Sequence, residues 1–136
     1  MPASEHPLKM QMFKLPYSSD APGTARRIVE EQLAPLFPQE RADELIQVVS
    51  ELAANAVRLS PPLEDGTIGL LLERYDDKVY VAVIDGGTHL VPDELTFERR
   101  SDERFGLFVV DAFADGWGFS LDGVKGVWVE MELRDG

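Results

Sequence analysis

The longest helical pattern in the chain lies between residues 38 and 59 and ends at a Ser-Pro-Pro sequence. Apolar residues recur there at the spacing of an amphipathic helix: Ala42, Leu45, Val49, Leu52 and Ala56. A stripe of this kind has to be buried against a second element of structure. With 136 residues, the chain is long enough for one domain in which a sheet supplies that second surface.

The rest of the pattern predicts strands that flank two further helices and one long loop. Clustered antiparallel hairpins with three helices indicate an α/β (α+β) fold, a two-layer sandwich whose mostly antiparallel mixed sheet carries all three helices on one face. The expected elements are a strand at 8–15, a helix at 24–34 capped by Ser19 or Asp20 and ended by Pro35, a helix from Pro38 to about Leu59, a hairpin of 67–75 and 78–85, a loop at 86–104, a helix at 106–115 stopped by Gly116, and a final hairpin of "WGFSL" and "GVWVEMEL".

Composition excludes several classes of protein. A net charge of -12 argues against a direct nucleic-acid partner, because phosphate contacts need clustered Lys and Arg. The acidic surface either suits a basic patch on another protein or only keeps the protein in solution. The chain has no cysteine, so disulfides, thiolate metal sites and cysteine nucleophiles are excluded. No apolar run approaches the roughly 20 residues of a membrane helix, and the first residues lack the pattern of a signal peptide. These observations predict a cytoplasmic protein with no membrane partner.

The helix ending at Leu59 contains an asparagine, a residue that competes with the helical backbone for hydrogen bonds. Asn55 lies four residues after Glu51, so both side chains project from one face, opposite the apolar stripe. Taken alone, this face has a plain alternative explanation as a solvated polar surface that includes one asparagine.

Two further segments have the character of ligand sites and the same kind of plain alternative. The apolar strand "VAVI" ends in Asp85 and two glycines, where a carboxylate could accept a hydrogen bond from an exocyclic amine, or could simply form an Asp-Gly turn. In "RFGLFVVDAFADGWG", Gly106 stands at the start of a helix, where free backbone N–H groups favour an anion, or where a junction merely needs a small residue.

Together and in this order, the three segments resemble the nucleotide-binding boxes of the GHKL (Bergerat-fold) ATPases. More narrowly, they resemble the small anti-sigma-factor serine kinases of bacterial partner-switching systems. The segment "SELAANAV" is similar to the N box of that family, "VIDGG" to its first glycine box and "FGLFVVDAFADGWG" to its second. The likeness covers roughly residues 20–133 of what we expect to be a single domain, 1–136.

The resemblance implies a role for the residues of the first two boxes. Asn55 would coordinate the Mg²⁺ that is bound to the phosphates of ATP, and an amide oxygen suits that ion. Glu51 would be the catalytic base, because one helical turn from the metal ligand places it near the γ-phosphate. Asp85 would accept a hydrogen bond from the adenine amine, and Gly87 would lie beside the ring.

For the second glycine box, the resemblance implies contacts with the phosphates. Gly106 matches a glycine at the helix that faces them, Leu107 follows it in the same box, and Arg104 could contact phosphate directly. Residues 88–104 would form the lid over the nucleotide.

The sequence departs from the family pattern at three positions. Relatives usually have a histidine in place of Leu59, a glycine in place of Arg104 and a threonine near adenine in place of Gly126. Loss of the threonine removes one hydrogen bond, worth on the order of 1 kcal/mol. These departures favour nucleotide binding over efficient turnover.

The resemblance therefore predicts an ATP-binding regulator that phosphorylates a serine or threonine as an ATP-dependent protein kinase. Its expected partners are a sigma factor and an anti-anti-sigma protein of the STAS type, and the resemblance also allows a homodimer. The main alternative is a sequestering module of the same fold with weak or lost nucleotide binding. A separated histidine-kinase ATPase domain is less favoured, because no pair of phosphoacceptor helices precedes the boxes.

Overall fold

The computed structural model describes residues 6–87, 107–121 and 124–133. Within these ranges, the chain forms five strands, three α-helices and one short 3₁₀ turn. In chain order they are β1 (Lys9–Pro16), α1 (Ala21–Gln32), the 3₁₀ turn (Ala34–Leu36), α2 (Gln39–Leu59), β2 (Thr67–Arg74), β3 (Lys78–Ile84), α3 (Leu107–Phe113), β4 (Gly116–Leu121) and β5 (Val124–Glu132).

The five strands form one sheet in the order β1-β2-β3-β5-β4. Each of the four neighbouring pairs in the described ranges is antiparallel. The predicted two-layer α/β class is therefore confirmed, with a sheet that is antiparallel in every described pair rather than mixed. This order places β3 at the centre of the sheet, with β2 and β1 on one side and β5 and β4 on the other.

Helix α2 covers the central strands with the apolar stripe that the sequence predicts. All five residues of that stripe are buried, and Leu45 and Val49 have no exposed surface. They share one core with alternate residues of β2 and β3, which include Leu70 and Val81. Among the described residues, no helix is long and apolar enough to cross a membrane.

On the other face of the sheet, aromatic residues pack among carboxylates. The Tyr80 hydroxyl donates to Glu130 Oε1 at 2.9 Å, and the Tyr75 and Tyr80 rings meet edge to face with centroids 5.5 Å apart. This cluster lies on the side of the sheet away from α2, because Tyr80 alternates with the core residues Val79 and Val81 along β3.

The ends of several elements differ from the predicted ones. Helix α1 begins at Ala21, and Asp20 occupies its N-cap position without a side-chain capping hydrogen bond. Pro35 lies inside the 3₁₀ turn, and Pro38 is the residue before α2 rather than its first residue. Gly116 does not stop α3: that helix ends at Phe113, and Gly116 begins β4 because the backbone has already joined the sheet through Asp115 N–H and Glu130 C=O at 2.9 Å.

A single arginine near the start of α2 fixes the far end of α3. The guanidinium of Arg41 donates to Glu44 Oε1 at 2.9 Å, to the Phe113 carbonyl at 2.8 Å and to the Asp115 carboxylate. Asp115 in turn accepts a hydrogen bond of 2.7 Å from the Glu132 backbone N–H. Because the Arg41 side chain is only 13% exposed, these contacts join α2, α3 and β5 in a largely desolvated setting.

We expect Arg41→Met to lower the free energy of unfolding by about 2–3 kcal/mol. The variant loses hydrogen bonds to charged groups and leaves the acceptors of Glu44, Phe113 and Asp115 without their donor. The Arg41 Nε atom is buried with no hydrogen-bond partner in the described structure, which keeps the net effect modest. Urea unfolding would measure it, with the exposed Arg27→Met in α1 as the control. Equal stability of the two variants would contradict a stabilising role for Arg41.

Candidate functional site

The two N-box residues lie on the side of α2 that faces away from the core. Glu51 and Asn55 are both half-buried, whereas the residues of the opposite stripe are buried. Asn55 Oδ1 accepts a hydrogen bond from the guanidinium of Arg58, three residues further along the helix. No side-chain hydrogen bond or ion pair engages the Glu51 carboxylate in the described part of the chain. The base candidate is thus unpaired there, while the metal-ligand candidate has a cationic neighbour.

The Asp85 carboxylate is buried at the end of β3, with 3% of the residue exposed. Its Oδ1 atom accepts a hydrogen bond of 2.9 Å from the Gly87 backbone N–H. A buried carboxylate is unfavourable unless it is hydrogen-bonded, and this contact meets part of that requirement. The Asp-Gly-Gly segment therefore forms a tight turn that holds an acceptor at the end of the central strand.

Helix α2 and this turn come together through the residues that follow the helix. Helix α2 packs against β3, and just beyond the helix the Pro61 carbonyl accepts a hydrogen bond of 3.0 Å from the Gly86 N–H. A Cβ atom on Gly86 would lie 2.0 Å from the Pro62 carbonyl oxygen, so only glycine fits at that position. The structure thus adds Gly86 and the two prolines to the site. The sequence signals for them were the glycine directly after Asp85 and the Ser-Pro-Pro sequence that ends the helix.

Two of the family departures lie at this end of the sheet. Gly126 pairs with Ile84, next to Asp85, and a Cβ atom there would lie 2.2 Å from the Val83 carbonyl oxygen. No side chain fits at residue 126 without a backbone shift, which gives a physical reason for the missing threonine. Leu59 is 50% exposed at the end of α2 and supplies no polar group in place of the usual histidine.

The second glycine box is described only in part. Arg104, Gly106 and the predicted lid at 88–104 lie outside the described residues. Leu107 begins α3, whose body packs against α2 through the fully buried Val110. The N-box helix and the helix of the second glycine box are therefore neighbours, as a shared phosphate site requires.

The comparison with known families agrees with this geometry. A family model described as "Histidine kinase-, DNA gyrase B-, and HSP90-like ATPase" matches residues 40–135. The chain belongs to this family, the GHKL ATPases, whose domains bind ATP, usually with Mg²⁺. No curated protein matches the chain. The matched range includes Glu51, Asn55, Asp85 and Gly87 but leaves their individual roles to experiment.

The donor set near Asn55 fits Mg²⁺ that reaches the protein together with nucleotide phosphates. This ion keeps most of its waters and takes one or two protein oxygens besides the phosphates. Among the described residues, no group of three or more His, Asp or Glu side chains could hold a metal by itself. Asn55 Oδ1 would hold the ion, and the exposed Arg58 side chain would have to move from that oxygen.

We expect Asn55→Ala to abolish the Mg²⁺-dependent part of ATP binding. Loss of a group that only orients a ligand costs about 10–100-fold in metal affinity, so loss of the ligand itself should cost at least as much. Calorimetric titration with ATP and Mg²⁺ measures this, with Gln47→Ala on the exposed surface of the same helix as control. Equal ATP affinity in the wild type and in Asn55→Ala would exclude Asn55 as the anchor for the metal and phosphates.

We expect Asp85→Asn to weaken ATP binding roughly 10–100-fold and to narrow the preference for ATP over GTP, since an acceptor becomes a mixed donor and acceptor. The matched control is Asp76→Asn, at an exposed position in the turn before β3. A fluorescent ATP analogue displaced by each nucleotide would provide both affinities. A variant that keeps affinity and preference would show that adenine is read elsewhere.

Proposed function

We propose that this protein is an ATP-binding regulator of the anti-sigma-factor type, which phosphorylates a serine or threonine of an anti-anti-sigma partner. The proposal rests on the arrangement of three candidate residues at the end of α2 and the end of β3. The carboxylate of Glu51 and the amide of Asn55 lie one turn apart on a half-buried helix face. The segment that follows this helix is hydrogen-bonded to the glycine turn that holds the buried Asp85.

The helix spacing supports a role for Glu51 in proton transfer. Its carboxylate lies one turn before Asn55, at the distance expected between a general base and a group that positions the γ-phosphate. In phosphotransfer, the carboxylate takes the proton of the partner's hydroxyl as the hydroxyl oxygen bonds to the γ-phosphorus. The bond from that phosphorus to the β–γ bridging oxygen breaks, and ADP leaves with its electron pair. Mg²⁺, when bound, would neutralise charge on the phosphates.

The charge of the chain supports a protein partner with a basic surface. At a net charge of -12, the protein would attract a basic patch and repel nucleic acid. We propose that such a patch belongs to a sigma factor, which the protein sequesters until a dephosphorylated STAS-type partner competes for it. We also propose that the protein is cytoplasmic and that it can form a homodimer.

A sequestering module without catalysis is the second candidate, and specific contacts favour it. Arg58 engages the Asn55 oxygen that Mg²⁺ would need, Leu59 lacks the polar group of the usual histidine, and Gly126 has no room for a threonine. The Arg58 contact competes with Mg²⁺ for Asn55, and the missing threonine removes a hydrogen bond near adenine, so both would weaken nucleotide binding as well as turnover. In this case, the protein would hold its partner by contact alone.

We expect Glu51→Gln to bind ATP as the wild type does and to lose about 10²–10⁴-fold in phosphotransfer, because the shape of the side chain is kept and its basicity is removed. The assay would follow the γ-phosphate of labelled ATP into a panel of STAS-type proteins from the same organism. The exposed Glu40→Gln at the start of α2 serves as control. Wild-type protein that binds ATP yet neither labels any partner nor hydrolyses ATP would leave the sequestering module as the function.

A further inference from the structure

The three residues after α2, Ser60 to Pro62, form a short link between two parts of the molecule, and we call them the proline segment. On one side, the Tyr17 hydroxyl donates to the Ser60 carbonyl at 2.5 Å in a half-buried setting. Tyr17 belongs to the turn between β1 and α1 and was not among the predicted site residues. This contact therefore connects the start of the chain to the end of the N-box helix.

On its other side, the proline segment contacts the turn that holds Asp85. The Gly86 N–H donates to the Pro61 carbonyl at 3.0 Å. A Cβ atom built on Gly87 would lie 3.2 Å from Pro61 Cδ, so the proline ring packs directly against the position expected beside adenine. The segment is thus part of the wall at the base-binding end of the site.

The segment has little freedom to move in response to a lost contact at one end. Two successive prolines have fixed φ angles and no N–H groups with which to form alternative hydrogen bonds. Beyond them, Leu63 N–H donates to the Thr67 carbonyl at 2.7 Å, which attaches the loop to the start of β2. A displacement at Ser60 would therefore be passed on to Pro61 and to Gly86.

We propose that Tyr17 is a positioning residue for recognition of the nucleotide base: its hydroxyl holds the proline segment, which holds the Asp85 turn in place for adenine. This inference rests on the proposed ATP binding and assigns the contact to the base rather than to the phosphates. Tyr17 itself touches neither Asp85 nor Gly87 through a hydrogen bond in the described structure. Its effect would pass through Ser60 and Pro61.

Tyr17→Phe tests the proposal, and Tyr80→Phe is the matched control. Tyr17→Phe removes the hydroxyl that donates to the Ser60 carbonyl at 2.5 Å, and Tyr80→Phe removes the hydroxyl that donates to Glu130 at 2.9 Å. Tyr80 lies on the face of the sheet that is turned away from α2. We expect Tyr17→Phe to weaken ATP binding about 3- to 10-fold, the effect of one hydrogen bond, and to leave GTP binding unchanged. Tyr80→Phe should change neither.

A second readout does not involve nucleotide. Because the Gly86 N–H is bonded to the Pro61 carbonyl, hydrogen exchange at Gly86 should become faster in Tyr17→Phe and not in Tyr80→Phe. Unchanged exchange at Gly86, or equal loss of ATP and GTP affinity, would overturn the positioning role. If exchange at Gly86 is faster in Tyr17→Phe but the wild-type protein binds no ATP, the contact is structural, and both base recognition and the proposed function are refuted.

Pro61→Ala provides a variant that does not depend on Tyr17. It keeps the carbonyl that accepts from Gly86 and removes the ring that packs against Gly87. We expect the same selective loss of ATP affinity, about 3- to 10-fold, without a change for GTP. An ATP affinity equal to that of the wild type in both Tyr17→Phe and Pro61→Ala would exclude the proline segment from base recognition.

Discussion

Burial of one side of α2 against the sheet determines where the chemistry of this protein can lie. Leu45 and Val49 are fully buried, and each such side chain contributes about 1.5–3 kcal/mol when it is removed from water. At 100° per residue, this fixes Glu51 and Asn55 on the opposite side of the helix. A rotation that moved them would bury a carboxylate and an amide and expose the stripe. The same core that stabilises the domain thus orients both the candidate catalytic base, Glu51, and the candidate metal ligand, Asn55.

A second constraint is the close approach of backbones on both sides of Asp85. Neither Gly86 nor Gly126 has room for a Cβ atom, because carbonyl oxygens of Pro62 and Val83 occupy that space. The two glycines therefore allow neighbouring backbone segments to pack closely around the buried Asp85 carboxylate. Contacts within 6–87 and 124–133 therefore fix the backbone around the candidate site for the base. The same close packing leaves Gly126 without the polar group that relatives use near adenine.

Much of this architecture could be predicted from the sequence, because periodic patterns report burial directly. Apolar residues recur at helical spacing in α2 and at strand spacing in both hairpins, because each element has to bury one side. These patterns were sufficient to predict the α/β class. The ends of elements were less predictable: Gly116 was expected to stop a helix, yet pairing with Glu130 draws that residue into β4. Contacts between distant segments, such as Tyr17 with Ser60 and Arg58 with the proposed metal ligand, leave no periodic signal. The roles of Glu51 and Asp85 stay predictions, since they depend on a ligand.

In the proposed function, the site formed by α2 and the end of β3 binds ATP through its base and through Mg²⁺ together. Calorimetric titration of the wild-type chain with ATP, in Mg²⁺ and then in excess EDTA, tests both parts at once. We expect saturable binding of one ATP per chain in Mg²⁺, a large loss of ATP affinity in EDTA and weaker binding of GTP. Absence of saturable ATP binding in Mg²⁺, or equal affinities for ATP in Mg²⁺ and in EDTA, would contradict this expectation.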